Sequence, residues 1–199
     1  MIIYMCDIIC VTNRRLCPDD FRKRIKQIAD TDVSGIILRE KDLSMQQYEQ
    51  LARGIMPYAG EKLIIHSFEL AAQKTDCKSI HMPMHILRQF GDKSYFEKIG
   101  ASCHSVAEAK EAESLGCTYI TAGHIFDTDC KKGLPGRGLR FLRDVCENVN
   151  IPVYAIGGIT KDNISDVLEA GASGVCVMSS LMTCSDPKEY ISQLRGVVK

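Results

Sequence analysis

A chain of 199 residues with 45% hydrophobic side chains can bury one sizeable core without disulfide or metal staples. Its 25 basic and 25 acidic side chains cancel, so no broad basic field points to nucleic acid. Residues 1–11 are apolar but interrupted by Asp7 and lack a basic n-region. Neither a signal peptide nor a membrane partner is expected, and the cytoplasm is the expected location.

Residues 8–12 (IICVT) form a continuous run with the pattern of a strand buried on both faces. Pro18, Asp19 and Asp20 are expected to open a helix, carboxylates in its first turn, with Phe21, Ile25 and Ile28 at helical spacing. Residues 35–38 (GIIL) read as a second buried strand, followed at once by Arg39, Glu40 and Lys41. Ser44 should cap the helix that carries Met45, Tyr48, Leu51, Ile55 and Met56. Residues 62–66 (KLIIH) are the third strand, before a short helix around residues 69–72.

The pattern then thins. Residues 79–82 (SIHM) make a weak fourth strand, and residues 86–87 and 95–96 modest helical or irregular segments. Residues 99–103 (IGASC) are the fifth strand, leading through Ser105 into a helix of Val106, Ala109, Ala112 and Leu115. Residues 118–122 (TYITA) are the sixth; a long polar loop separates them from a helix with Leu139, Leu142 and Val145. Residues 152–156 (PVYAI) are the seventh, running into Gly157 and Gly158, with a helix over 163–170 ended by Gly171. Residues 174–178 (GVCVM) are the eighth, followed by Ser179, Ser180 and a final helix near 187–194.

Eight alternations at about 25 residues per unit, with no linker, imply one α/β domain over residues 1–199, a closed (β/α)8 barrel. An open doubly wound sheet is the alternative, because periodicity does not report closure. Active sites of barrels lie at the C-terminal ends of the strands. There the sequence puts Arg39, Lys41, His66, Ser102, His104, His124, the two glycines and the two serines. The ten cysteines show no C-x-x-C spacing, and Cys10, Cys117 and Cys176 sit in apolar runs as small hydrophobes. Reduced thiols are expected, and neither a disulfide framework nor a zinc site.

The loop of residues 123–138 (GHIFDTDCKKGLPGRG) concentrates the chemistry: His124, Asp127, Thr128, Asp129, Cys130, Lys131 and Lys132. An imidazole at a strand tip can take and return a proton near neutral pH. His66, His81 and His104 also lie near strand ends, where a lone histidine is more often structural. Cys130 has no adjacent base in the sequence, which argues against a nucleophile. Glycines after strand seven and serines after strand eight suit a phosphate, through backbone N–H groups and a helix N-terminus. Arg39 and Lys41 add positive charge to the same mouth.

The sixth strand and its loop, with residues 157–159 (GGI) and 177–179 (VMS), resemble the thiamine phosphate synthase superfamily. The full loop run is similar to its thiazole tautomerase branch, the TenI-type proteins. The resemblance spans the chain, strongest from Gly100 to Leu181. The synthase pattern G-P-I-F-P-T-x-T-K becomes here a loop with His124 at the first proline, Asp127 at the second and Cys130 at the second threonine. Thr128 and Lys131 are kept. The synthase Q-L-R-E-K lacks its glutamine here, the Asn-Asp after strand three is replaced around His66, and the aspartate after strand four is absent around His81. The resemblance therefore implies no metal site and no cofactor.

What it implies instead is isomerisation of a carboxylated thiazoline-ylidene ethyl phosphate to the aromatic carboxythiazole ethyl phosphate. His124 would shuttle the proton. Gly158, Met178 and Ser179 would hold the phosphate; Thr128, Asp129, Cys130 and Lys131 would line the mouth, with Ser102 and His104 opposite. Arg39 or Lys41 would meet the carboxylate. The rivals are a Mg²⁺-dependent thiamine phosphate synthase and a non-catalytic regulator that binds the thiazole phosphate. The only partner expected is the small-molecule substrate; a homo-oligomer is left open.

Overall fold

In the computed structural model, which describes residues 6–131 and 133–196, strands and helices alternate along the chain. They run β1 (Asp7–Val11), α1 (Phe21–Ala29), β2 (Gly35–Leu38), α2 (Met45–Ala59), β3 (Leu63–His66), α3 (Glu69–Lys74), β4 (Ser79–Pro83) and α4 (Met84–Leu87). The second half continues with β5 (Lys98–Cys103), α5 (Val106–Ser114), β6 (Tyr119–Gly123), α6 (Gly138–Cys146), β7 (Val153–Ile156), α7 (Ile164–Glu169), β8 (Gly174–Val177), α8 (Ser179–Thr183) and α9 (Pro187–Gly196). Each strand pairs in parallel with the next, and β8 returns to β1. The open-sheet alternative is excluded: the barrel is closed. Residues 1–5 of the apolar N-terminal run lie outside the described residues, as does Lys132 of the polar loop.

The strand sequences explain the two-sided burial. In β1, Ile8 and Cys10 join the large core under the helices, whereas Ile9 and Val11 join a second cluster inside the barrel. Alternate residues of a strand point to opposite faces, so a continuous apolar run supplies both layers. Inside, Ile37, Ile64, Tyr119, Tyr154 and Cys176 close the lower barrel, the two tyrosine rings meeting edge to face. β4 is short of apolar residues because its inward position is His81, yet it pairs with both neighbours. Helix α2 is stitched to the sheet by buried Tyr48, whose hydroxyl donates to the Leu38 carbonyl and accepts from the His66 N–H.

Local signals act as the sequence suggests, with two differences. Ser44 makes a reciprocal capping box with Gln47, and Ser105 caps α5 through the Glu108 N–H. Helix α1, however, begins at Phe21, and Asp20 is its cap rather than a first-turn residue, accepting from the Lys23 N–H. Helix α8 is additional, a five-residue turn straight after β8 that ends before Cys184. All ten cysteines are free, most of them buried. Among the described residues no helix is long and apolar enough to cross a membrane.

Gly100 is a packing requirement. A Cβ there would run into the Tyr119 ring, which fills the barrel beside it. Gly100→Ala should therefore cost about 1–3 kcal/mol through overpacking, read as a lower urea midpoint at unchanged slope.

Candidate functional site

The C-terminal strand ends open into a cavity of about 480 Å³. That volume suits a small ligand. From the expected set, the wall contains Arg39, Lys41, Ser102, His104, His124, Thr128, Cys130, Lys131, Gly158, Met178 and Ser179. Asp129 is the exception: it is exposed in a short 3-10 turn, Asp129–Lys131, and is no part of the wall. The turn gives the wall its neighbours Cys130 and Lys131 instead.

His124 follows β6 through a cis Gly123–His124 peptide and is buried, 8% exposed. Its Nε2 lies 3.1 Å from the Leu134 carbonyl, so Nε2 carries the proton and donates it there. In the neutral ring Nδ1 is then left with a lone pair. The loop is held shut around this ring. Ile125 and Phe126 donate to the carbonyls of Ile156 and Gly157, Arg137 donates to the His124 carbonyl, and Asp127 accepts from the Gly136 N–H at 2.7 Å. Asp127 is thus a loop clasp rather than a wall residue.

Gly157 and Gly158 have φ of 102° and 66°. A Cβ on Gly157 would collide with the His124 side chain, and one on Gly158 would come within 2.6 Å of the Asp127 carbonyl oxygen. The glycines are needed to seat the His124 loop, whatever else their N–H groups do. Beyond β8, the first N–H groups of α8, around Ser179, have no intrahelical acceptor, and Met178, Ser179 and Ser180 line the same cavity.

Positive charge gathers on the other side. Lys41 is lowered by burial and by the neighbouring charges of Arg39 and Lys131, and burial lowers Arg39. None of these three heads is ion-paired with a carboxylate among the described residues. The intervening Glu40 is turned away and buried. It accepts from the Thr12 hydroxyl at 2.6 Å and from the Arg14 N–H at 2.9 Å, while Thr12 in turn accepts from the Arg39 N–H. Glu40 therefore sets the backbone that presents Arg39.

Deeper in the barrel lie two residues that sequence reasoning weighed as structural, His66 and His81, and one it did not consider, Thr121. The two imidazoles stack with centroids 6.0 Å apart. Burial pushes His66 down to about 2 and His81 to about 3, so both are neutral near pH 7. His104 donates from Nδ1 to the Gly123 carbonyl at 2.8 Å, bracing the peptide before His124. Asn13, Thr160 and Ser180 also reach the wall. The inward set depends on strand register and closure, which no local pattern reports.

The wall does not fit Mg²⁺. Among the described residues, none that lines the wall is a carboxylate. Among the described residues, no three His, Cys, Asp or Glu side chains are grouped to hold a metal ion. A hard divalent cation takes oxygen ligands, carboxylates first.

A family profile described as thiamine monophosphate synthase matches residues 8–181. A Pyrococcus abyssi protein named thiamine-phosphate synthase is 32% identical over 197 residues, covering 95% of this chain and 93% of the relative. Streptococcus pneumoniae thiamine-phosphate synthase 2 is 32% identical over 186 residues, covering 88% and 87%. The solved thiamine phosphate pyrophosphorylase from Pyrococcus furiosus superposes with a TM-score of 0.82 at 27% identity, over 98% of this chain and 96% of that one.

Proposed function

The chain belongs to the thiamine monophosphate synthase family, and from that premise we propose that it is an isomerase of the family, a thiazole tautomerase. The observation that carries this reading is a cavity wall that, among the described residues, has a buried histidine and three cations without an ion-pair partner but no carboxylate. Such a wall favours an anionic ligand and proton transfer over metal-assisted displacement of pyrophosphate. In the proposed reaction, His124 Nδ1 takes the proton from the ring carbon that bears the carboxylate. The same proton is then returned to the exocyclic carbon, and the ring becomes aromatic. Atoms and charge balance without a co-reactant. Acid–base help of this kind is typically worth about 10²–10⁴-fold.

The phosphate is assigned to Gly158, Met178 and Ser179, the carboxylate to the Arg39 and Lys41 side, and the mouth to Thr128, Cys130, Lys131 and His104. The test is to incubate the purified protein with the thiazoline tautomer and follow the aromatic product. A rate no faster than the spontaneous one would remove the isomerase.

A second reading, thiamine phosphate synthase, has the names of the relatives on its side, and those names favour it over the isomerase. It requires a metal site that these wall residues do not supply. With Mg²⁺, pyrimidine pyrophosphate and thiazole phosphate, the expected outcome is no thiamine phosphate above background. Sustained turnover in that mixture would put the synthase reading first.

A further inference from the structure

We propose that Tyr119 and His81 are positioning residues that fix the Ser102 hydroxyl as a hydrogen-bond donor into the cavity, where it meets the ligand's carboxylate. The ligand half of this inference rests on the isomerase reading; the orientation half does not.

The orientation follows from one buried proton. Tyr119 is 2% exposed, and among the described residues its hydroxyl has one hydrogen-bonding partner, His81 Nδ1 at 3.0 Å. Burying a phenol proton without an acceptor is costly, so the hydroxyl donates to Nδ1. His81, itself 2% exposed and kept neutral by burial and by the charge of Arg39, has one proton to place. That proton is on Nε2, which lies 2.8 Å from Ser102 Oγ. Ser102 therefore accepts from His81 and has its own proton to give. Its Oγ has no other protein partner among the described residues, and Ser102 lines the cavity. The chain of three side chains is polarised outward, from the barrel floor to the ligand.

The ligand end follows from the shared wall. Arg39, on the side assigned to the carboxylate, lies near enough for its charge to act on His81, and His81 holds Ser102, so Arg39 and Ser102 serve the same part of the cavity. Removal of a proton next to a carboxylate moves negative charge onto that carboxylate. A donor already aimed there strengthens its bond as the charge grows. Ser102 lends a hydrogen bond and keeps its proton; the transferred proton passes through His124.

Nitrogen-15 NMR of the histidine rings in the wild-type protein tests the orientation without any variant. The expected spectrum near neutral pH has His81 Nδ1 unprotonated and Nε2 protonated; a protonated Nδ1, or a mixture of tautomers, overturns it. For the ligand half, calorimetry compares carboxythiazole ethyl phosphate with the same thiazole phosphate lacking the carboxylate. Ser102→Ala should lose about 10-fold or more in affinity for the first and leave the second unchanged, with Ser102→Thr restoring the difference. Equal losses, no loss, or a wild type that binds neither compound would overturn that half. Tyr119→Phe should release the His81 tautomer in the spectrum; an unchanged spectrum would show that Tyr119 does not set it. Absence of conversion by the wild type would sink the isomerase alone, because the ring spectrum does not depend on turnover.

Discussion

His124→Gln is expected to lower single-turnover conversion at saturating thiazoline substrate by about 10²-fold or more while product affinity changes little. The substitution is chosen for what it keeps. A glutamine amide can still donate to the Leu134 carbonyl that holds the ring now, so the 123–138 loop retains that tie. Asp127 still clasps Gly136, and Gly157 still leaves room beneath residue 124. What disappears is a ring nitrogen able to accept and return a proton. Single-turnover rates beside calorimetric product binding separate the two roles. If the variant turns over near the wild-type rate, His124 leaves the chemistry and the non-catalytic regulator moves to the front.

The second large effect concerns acid. His66 and His81 are pushed from 6.5 to about 2 and about 3, in both cases chiefly by burial. His66 also feels His81, Arg39 and Lys41, and His81 feels Arg39. The folded values lie below the unfolded ones, so the unfolded chain binds more protons between about pH 6.5 and pH 3. Stability should therefore be full above the unfolded value and fall as pH drops through that window. Each group can contribute up to about 1.4 kcal/mol per pH unit. For the stacked pair a total loss of roughly 2–5 kcal/mol by about pH 4.5 is expected. Urea midpoints between about pH 7.5 and pH 4.5 measure it, and the double variant His66→Asn/His81→Asn isolates it. The variant should show a shallower decline than the wild type. Parallel declines would mean that other groups, not this pair, govern the acid limb.

The barrel was legible because its strands are buried on both faces and announce themselves as apolar runs, as in residues 8–12 and 35–38. β4 read weakly for a physical reason: His81 occupies its inward face, and a polar interior breaks the run. Helix α8 was missed because five residues between a strand and a longer helix carry no period. Strand ends alone put Arg39, Ser102, His124 and Ser179 on one rim, and all four line the cavity. Asp129 neighbours wall residues in sequence, but a 3-10 turn leaves it exposed. The glycines after β7 look like an anion loop in sequence; only packing reveals that Gly157 makes room for His124 and Gly158 for Phe126 and Asp127. The outward-polarised Tyr119–His81–Ser102 chain joins the neighbouring strands β4, β5 and β6, and only their pairing and register bring its members together.

A cavity that moves protons and one that displaces pyrophosphate give different products from one mixture of purified protein, thiazoline tautomer, Mg²⁺ and pyrimidine pyrophosphate, and quantifying both products over time separates them. Aromatic carboxythiazole ethyl phosphate is expected at a rate well above the protein-free control, with no thiamine phosphate. Thiamine phosphate formation, or aromatic product at only the control rate, would contradict the isomerase reading.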